Sequence, residues 1–113
     1  MTKRTYTYKV VGGNEILADV YPAGARPSPV IVWIHGGALM MGHRGDLSHR
    51  HADEYLQAGY TVVSIDYRLA PETKLPAIIA DLQDAFRWVH AEGAARFGAD
   101  PARIGVVGGS IYD

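Results

Sequence analysis

Cysteine is absent from this chain of 113 residues, which removes disulfide frameworks and thiolate metal sites from consideration. Long apolar runs are missing too. The longest, Val30 to Ile34, falls far short of the roughly 20 residues that cross a bilayer, so no membrane span is expected. The start, Met1-Thr2-Lys3-Arg4-Thr5, leads into polar alternation, and no secretory signal is legible there. Nor does charge of one sign accumulate. Eleven Lys and Arg stand against twelve Asp and Glu, a net charge of -1, and neither sign gathers into a block. That leaves no footprint for nucleic acid or for an anionic membrane surface. A cytoplasmic protein is the default expectation.

What is present suits one globular domain spanning residues 1–113. Hydrophobic residues make up 48% and charged residues 20%, close to globular averages. A chain of this length can bury about two-thirds of the surface it exposes when unfolded.

Thr5 to Val10 is rich in β-branched and aromatic residues, and Ile16, Ala18 and Val20 alternate with Leu17, Asp19 and Tyr21. With Gly12-Gly13-Asn14 between them, the two segments predict a β-hairpin. A loop containing Pro22, Gly24, Pro27 and Pro29 follows, and then the pattern changes. Val30-Ile31-Val32-Trp33-Ile34, Val62-Val63 with Ile65, and Ile104 to Val107 are apolar runs suited to strands covered on both faces. Helical spacing separates them. Asp46 is placed to cap a helix from Leu47 to about Ala58, stopped by Gly59, with Leu47, Tyr55 and Leu56 turned inward. Pro76 opens a second helix, in which Ile78, Ile79, Leu82, Ala85, Phe86 and Val89 recur until Gly93. A shorter piece from Ala94 to Phe97 precedes Gly98. The order predicts an α/β fold, a hairpin followed by parallel strands with right-handed crossovers.

Two strand ends carry the candidate chemistry. The first apolar run leads into His35-Gly36-Gly37-Ala38, at the carboxyl end of a strand, where α/β sheets bind ligands. Paired glycines let backbone N–H groups face an anion with no Cβ in the way, as an oxyanion hole requires. A plain glycine-rich turn is the alternative. The last strand leads into Gly108-Gly109-Ser110, the first half of the G-x-S-x-G turn that exposes a nucleophilic hydroxyl. Its second half departs from that pattern, because Tyr112 stands where glycine belongs.

These two segments, with Asp66-Tyr67-Arg68-Leu69-Ala70-Pro71-Glu72 and the approach Asp100-Pro101-Ala102-Arg103-Ile104, resemble the hormone-sensitive-lipase type of α/β-hydrolase. In that group an H-G-G-G or H-G-G-A motif accompanies the serine turn. The resemblance covers the N-terminal half of the family's fold. It implies a serine carboxylesterase acting on small or medium acyl esters by acyl-enzyme chemistry, without metal or organic cofactor. Ser110 matches the nucleophile, Gly36 and Gly37 match the oxyanion donors, and the N–H of Ile111 is a further donor. His35 and the Asp66–Glu72 segment have implied structural roles, the latter pinning a loop under the sheet.

In this fold the acid and histidine partners follow the serine, and only Ile111, Tyr112 and Asp113 do so here. The flexible end of the chain cannot hold Asp113 as a stand-in. The chain alone is therefore expected to be inactive, as a serine hydroxyl without a base is a weak nucleophile. The same fold leaves Ile104, Val106 and Val107 on an open edge, which predicts self-association. An alternative is a non-catalytic module that pairs through that edge. A reading-frame change or an artificial end is a third reading of the last residues.

Among the other histidines, His43, His49 and His51 lack the i, i+4 spacing of a helical zinc pair and read as a solvated face. His90 reads as a helix C-terminal charge site. Asp81 and Asp84 read as another solvated face, with Asp84 paired to Arg87. Leu39, Met40 and Met41 fit either an acyl pocket or plain core.

Overall fold

The structure, a computed structural model, describes residues 2–109. The alternating segments form strands β1 (Arg4–Val11) and β2 (Asn14–Tyr21), paired antiparallel as a hairpin. The three apolar runs lie in β3 (Ser28–Ile34), β4 (Thr61–Ile65) and β5 (Ala99–Gly108). Helix α1 (His49–Gln57) joins β3 to β4, and helix α2 (Leu75–Phe97) joins β4 to β5. The sheet order is β1-β2-β4-β3-β5, with β3 parallel to both β4 and β5. The hairpin adds antiparallel to β4 through Ala18–Tyr21.

The unbroken apolar runs of β3 and β4 have the cause expected for parallel strands, because both faces of the sheet are covered there. The run in β5, expected to be covered as well, is half-buried to exposed from Ile104 to Gly108. On one face Ala18, Val20, Val30, Val32, Val63 and Ile65 pack with Ala85 and Val89 of α2. On the other, Tyr21, Trp33 and Val62 pack with Leu47 and with Ala52 of α1, and Tyr55 and Leu56 lie against them. Strand β5 closes the order at one side. Of the three residues expected on an open edge, Val106 is 50% exposed, while Ile104 and Val107 are half-buried and pack against the two core clusters.

Three local expectations need correction. Asp46 does not cap the first helix. Leu47 after it is extended (φ -64°, ψ 118°) and turns its side chain into the core, so the helix cannot begin there. Ser48 is the cap instead, its Oγ accepting the His51 N–H at 3.1 Å, while Asp46 accepts the His43 N–H in a preceding 3-10 turn. Replacing Ser48 by Ala removes that acceptor. The expected loss is about 1 kcal/mol, read as a lower urea midpoint at unchanged slope.

Helix α2 also passes through Gly93 without a break and ends at Gly98. Gly93 is buried where a Cβ would stand 3.0 Å from the Ala99 methyl, so this glycine serves close packing of helix on strand. His90 is consequently exposed in mid-helix, and Arg96 occupies the last turn.

The largest correction concerns Asp81, which is fully buried. Its carboxylate accepts from Lys9 Nζ at 2.8 Å and from the Arg68 guanidinium at 2.7 and 2.9 Å. The backbone N–H of Arg68 adds a bond at 3.0 Å. Burial pushes this carboxyl up, but the Arg68 and Lys9 bonds outweigh it and hold it down at about 2. Asp84 pairs with Arg87 as expected and also with Lys9, at 2.7 Å. The cluster ties hairpin, helix and the segment after β4 together.

Candidate active site

The site begins where β3 ends. His35 is buried, its ring stacked on that of Tyr67 with centroids 4.2 Å apart and planes 4° from parallel. The Tyr67 hydroxyl donates to the His35 carbonyl at 2.9 Å. His35 Nδ1 lies 2.9 Å from the Gly36 carbonyl, which only accepts, so Nδ1 carries the proton. Nε2 is buried with no partner among the described residues. This imidazole holds the start of the loop, the structural role that the resemblance implied.

The loop then turns sharply. Gly37 has φ +115°, a region L side chains avoid, and its carbonyl accepts the N–H groups of Met40 and Met41 at 3.0 and 3.2 Å. Ala38 and Leu39 also have positive φ, 55° and 65°. The Leu39 carbonyl is tied to the Ala70 N–H at 2.7 Å. Neither the Gly36 nor the Gly37 N–H donates to a partner among the described residues.

Arg44 anchors the far end of the same loop. Its guanidinium bonds Asp19 at 3.0 Å and Asp66 at 2.6 Å, its N–H bonds Asp66 at 2.7 Å, and its carbonyl accepts from Ser64 at 2.6 Å. Burial pulls the guanidinium down, and the bonds to Asp19 and Asp66 more than offset this and keep it charged. The Asp66–Glu72 segment thus acts through Asp66 on this loop and through Arg68 on α2. Sequence reading missed Arg44, since its partners are 20 to 25 residues away and no local pattern marks them.

The end of β5 lies directly beside this loop. Gly109 N–H donates to the Ile34 carbonyl at 2.6 Å, and a Cβ on Gly109 would stand 2.4 Å from the Trp33 ring. Only glycine permits that approach. Ser110 and Ile111, the expected nucleophile and additional donor, lie outside the described residues.

Met40 and Met41 are each 59% exposed, so the plain-core reading of this pair fails. His49 is exposed and His51 half-buried on α1. No grouping among the described residues would hold a metal ion. No described helix is long and apolar enough to cross a membrane.

The BD-FAE family model matches residues 19–111. The chain belongs to the BD-FAE family. Similar proteins include the carboxylic ester hydrolase LipN of Mycobacterium tuberculosis, 42% identical over 86% of this chain and 26% of its own length. Carboxylesterase NlhH of the same species is 46% identical over 96% of this chain and 34% of its own. Among solved structures, Thermogutta terrifontis Est2 with butyrate bound superposes with TM-score 0.85 at 26% identity, covering 96% of this chain and 40% of that one. Esterase LipW of Mycobacterium marinum gives TM-score 0.81 at 34% identity, over 95% and 34%. This BD-FAE chain thus has part of the fold of an α/β-hydrolase. It spans about a quarter to a third of the length of those two curated relatives.

Proposed function

We propose that this chain supplies the nucleophile and oxyanion half of a serine hydrolase that acts on carboxylic esters of small or medium acyl chains. Ser110 is the nucleophile in this reading. Gly36 and Gly37, with the N–H of Ile111, stabilise the oxyanion of the tetrahedral intermediate. One observation carries the reading. The Gly109–Ile34 bond sets the residue before Ser110 against the strand end whose next glycines hold two N–H groups with no partner among the described residues. Esterase activity among relatives similar to this chain supports the substrate class.

In this reading buried His35, committed to the loop, is not the base that activates Ser110, and the base belongs to a segment after the serine, as in this fold's chain order. The isolated chain is expected to hydrolyse p-nitrophenyl butyrate no faster than buffer. Continued after Ser110 by the corresponding C-terminal segment of the 46% identical carboxylesterase, it is expected to turn the ester over. Ser110→Ala then lowers the rate by at least about 10³-fold. A folded fusion that is inactive, or one indifferent to Ser110→Ala, sinks the reading.

A second reading, a non-catalytic module that self-associates, is favoured by the β5 edge. The opposite edge strand, β1, carries a bulge between Thr7 and Lys9 and the cations Arg4 and Lys9, devices that blunt an edge. Past Arg103, strand β5 has neither, and Val106 is half-exposed. Light scattering at micromolar concentration is expected to give a mass above that of the monomer, falling toward it in Val106→Lys. A monodisperse monomer for the unaltered chain overturns this.

A further inference from the structure

The loop that holds these two N–H groups, unpartnered among the described residues, also carries exposed apolar side chains. Met41 is 59% exposed, although a thioether side chain gains by leaving water. Its place is set by backbone geometry. Both Met40 and Met41 donate their N–H to the Gly37 carbonyl, which curls the chain back over Gly37. The atoms nearest to where a Gly37 Cβ would be all belong to Met41: its carbonyl oxygen at 2.2 Å, its carbonyl carbon at 2.8 Å and its side-chain Cγ at 2.8 Å. The start of the Met41 side chain therefore lies across the open face of Gly37, within a side-chain length of the N–H groups at Gly36 and Gly37.

An ester carbonyl whose oxygen meets those N–H groups carries its acyl chain away from the same carbon. Anything beyond the first carbons of that chain must run over nearby surface, and apolar surface there rewards each added methylene. We propose that Met41 is a specificity-determining residue, the apolar wall against which the acyl chain of the substrate lies, so that it favours butyryl and longer chains over acetyl. The inference rests on the oxyanion reading of Gly36 and Gly37. Met40 is equally exposed, but none of its atoms is among the three nearest to where a Gly37 Cβ would stand, and it serves as the control.

The test needs no turnover. The 15N-labelled full chain is titrated with acetate, butyrate and hexanoate while the Gly36 and Gly37 amide resonances are followed. The expected result is that all three carboxylates shift those resonances and that hexanoate binds at least about fivefold more tightly than acetate, from the added apolar contact. Met41→Ala is expected to bring that ratio below about two, Met41→Leu to restore it and Met40→Ala to leave it unchanged. Because Met41 is largely exposed, folding is not at stake in these variants, and their amide spectra verify it. Equal affinities for all three ligands overturn the inference but leave the oxyanion reading standing. So does a ratio that survives Met41→Ala, that falls as far in Met40→Ala, or that Met41→Leu fails to restore. If no carboxylate shifts the Gly36 or Gly37 amides, the oxyanion reading falls and the inference falls with it.

Discussion

Asp81→Ala is expected to lower the unfolding free energy by about 3 kcal/mol at neutral pH, because it strands the charges of Lys9 and Arg68 that converge on one buried carboxylate. Exposure of those side chains is small, 18% for Lys9 and 29% for Arg68, so water replaces the lost partner only in part. The pH dependence has a definite sign. The folded carboxyl is held down at about 2, against an ordinary value of 3.8. The unfolded state therefore binds the proton first, and stability from this group is fully present above about pH 4 and lost as pH falls toward 2. That difference corresponds to about 2 kcal/mol. Asp84 and Asp100 are lowered as well and lose stability in the same direction. Urea unfolding at fixed protein concentration at pH 7 and pH 3 checks both statements. Asp81→Asn is expected to flatten the acid limb, and an Asp81→Ala chain within about 0.5 kcal/mol of the parent would show that the cluster contributes little.

Gly37→Ala is expected to reduce kcat by about 10²- to 10³-fold in the chain completed after Ser110 with the carboxylesterase segment, the loss associated with one misplaced oxyanion donor. An alanine here must hold φ near +115° and place its Cβ 2.2 Å from the Met41 carbonyl oxygen. That obstacle is backbone, and no rotamer change removes it. Either Gly37 leaves the left-handed region or the Met41 turn opens, and both rotate the N–H away from its present direction. Global stability should change far less than the rate, since the residues after Gly37 lie largely at the surface. Steady-state kinetics with thermal unfolding separates the two effects. A kcat within about fivefold of the parent, in a variant that still melts cooperatively, would remove the Gly37 N–H from the reaction.

Much of the architecture was legible because its causes are local. Uninterrupted β-branched runs predicted strands buried on both faces, and β3 and β4 are so buried. Pro76 and the apolar spacing that follows it placed the start of α2. The H-G-G-A segment, the D-Y-R-L-A-P-E segment and the glycines before Ser110 predicted the family that the comparisons show. The candidate site was legible as residues but not as contacts. Nothing in the sequence placed Gly109 against Ile34, or Met41 across Gly37.

The misplaced residues share a physical origin. Gly93 looked like a helix stop because glycine weakens helices, whereas tight packing against Ala99 and Phe97 selected it within one. Asp46 had the chemistry of a cap and lost that place to Ser48 because burial of Leu47 fixed the chain in an extended conformation between them. Asp81 and Asp84 looked alike, three residues apart on one helix. The sequence by itself determined the strands, the helices and the motifs, all of which rest on propensity and spacing between near neighbours. Tertiary structure alone decided that Asp81 is buried, since its charge is tolerable only with Lys9, 72 residues away, and Arg68, 13 residues away. It likewise decided that Arg44 anchors the loop after His35, for the same reason: long-range charge pairs exist only once the strands and helices that carry them have packed.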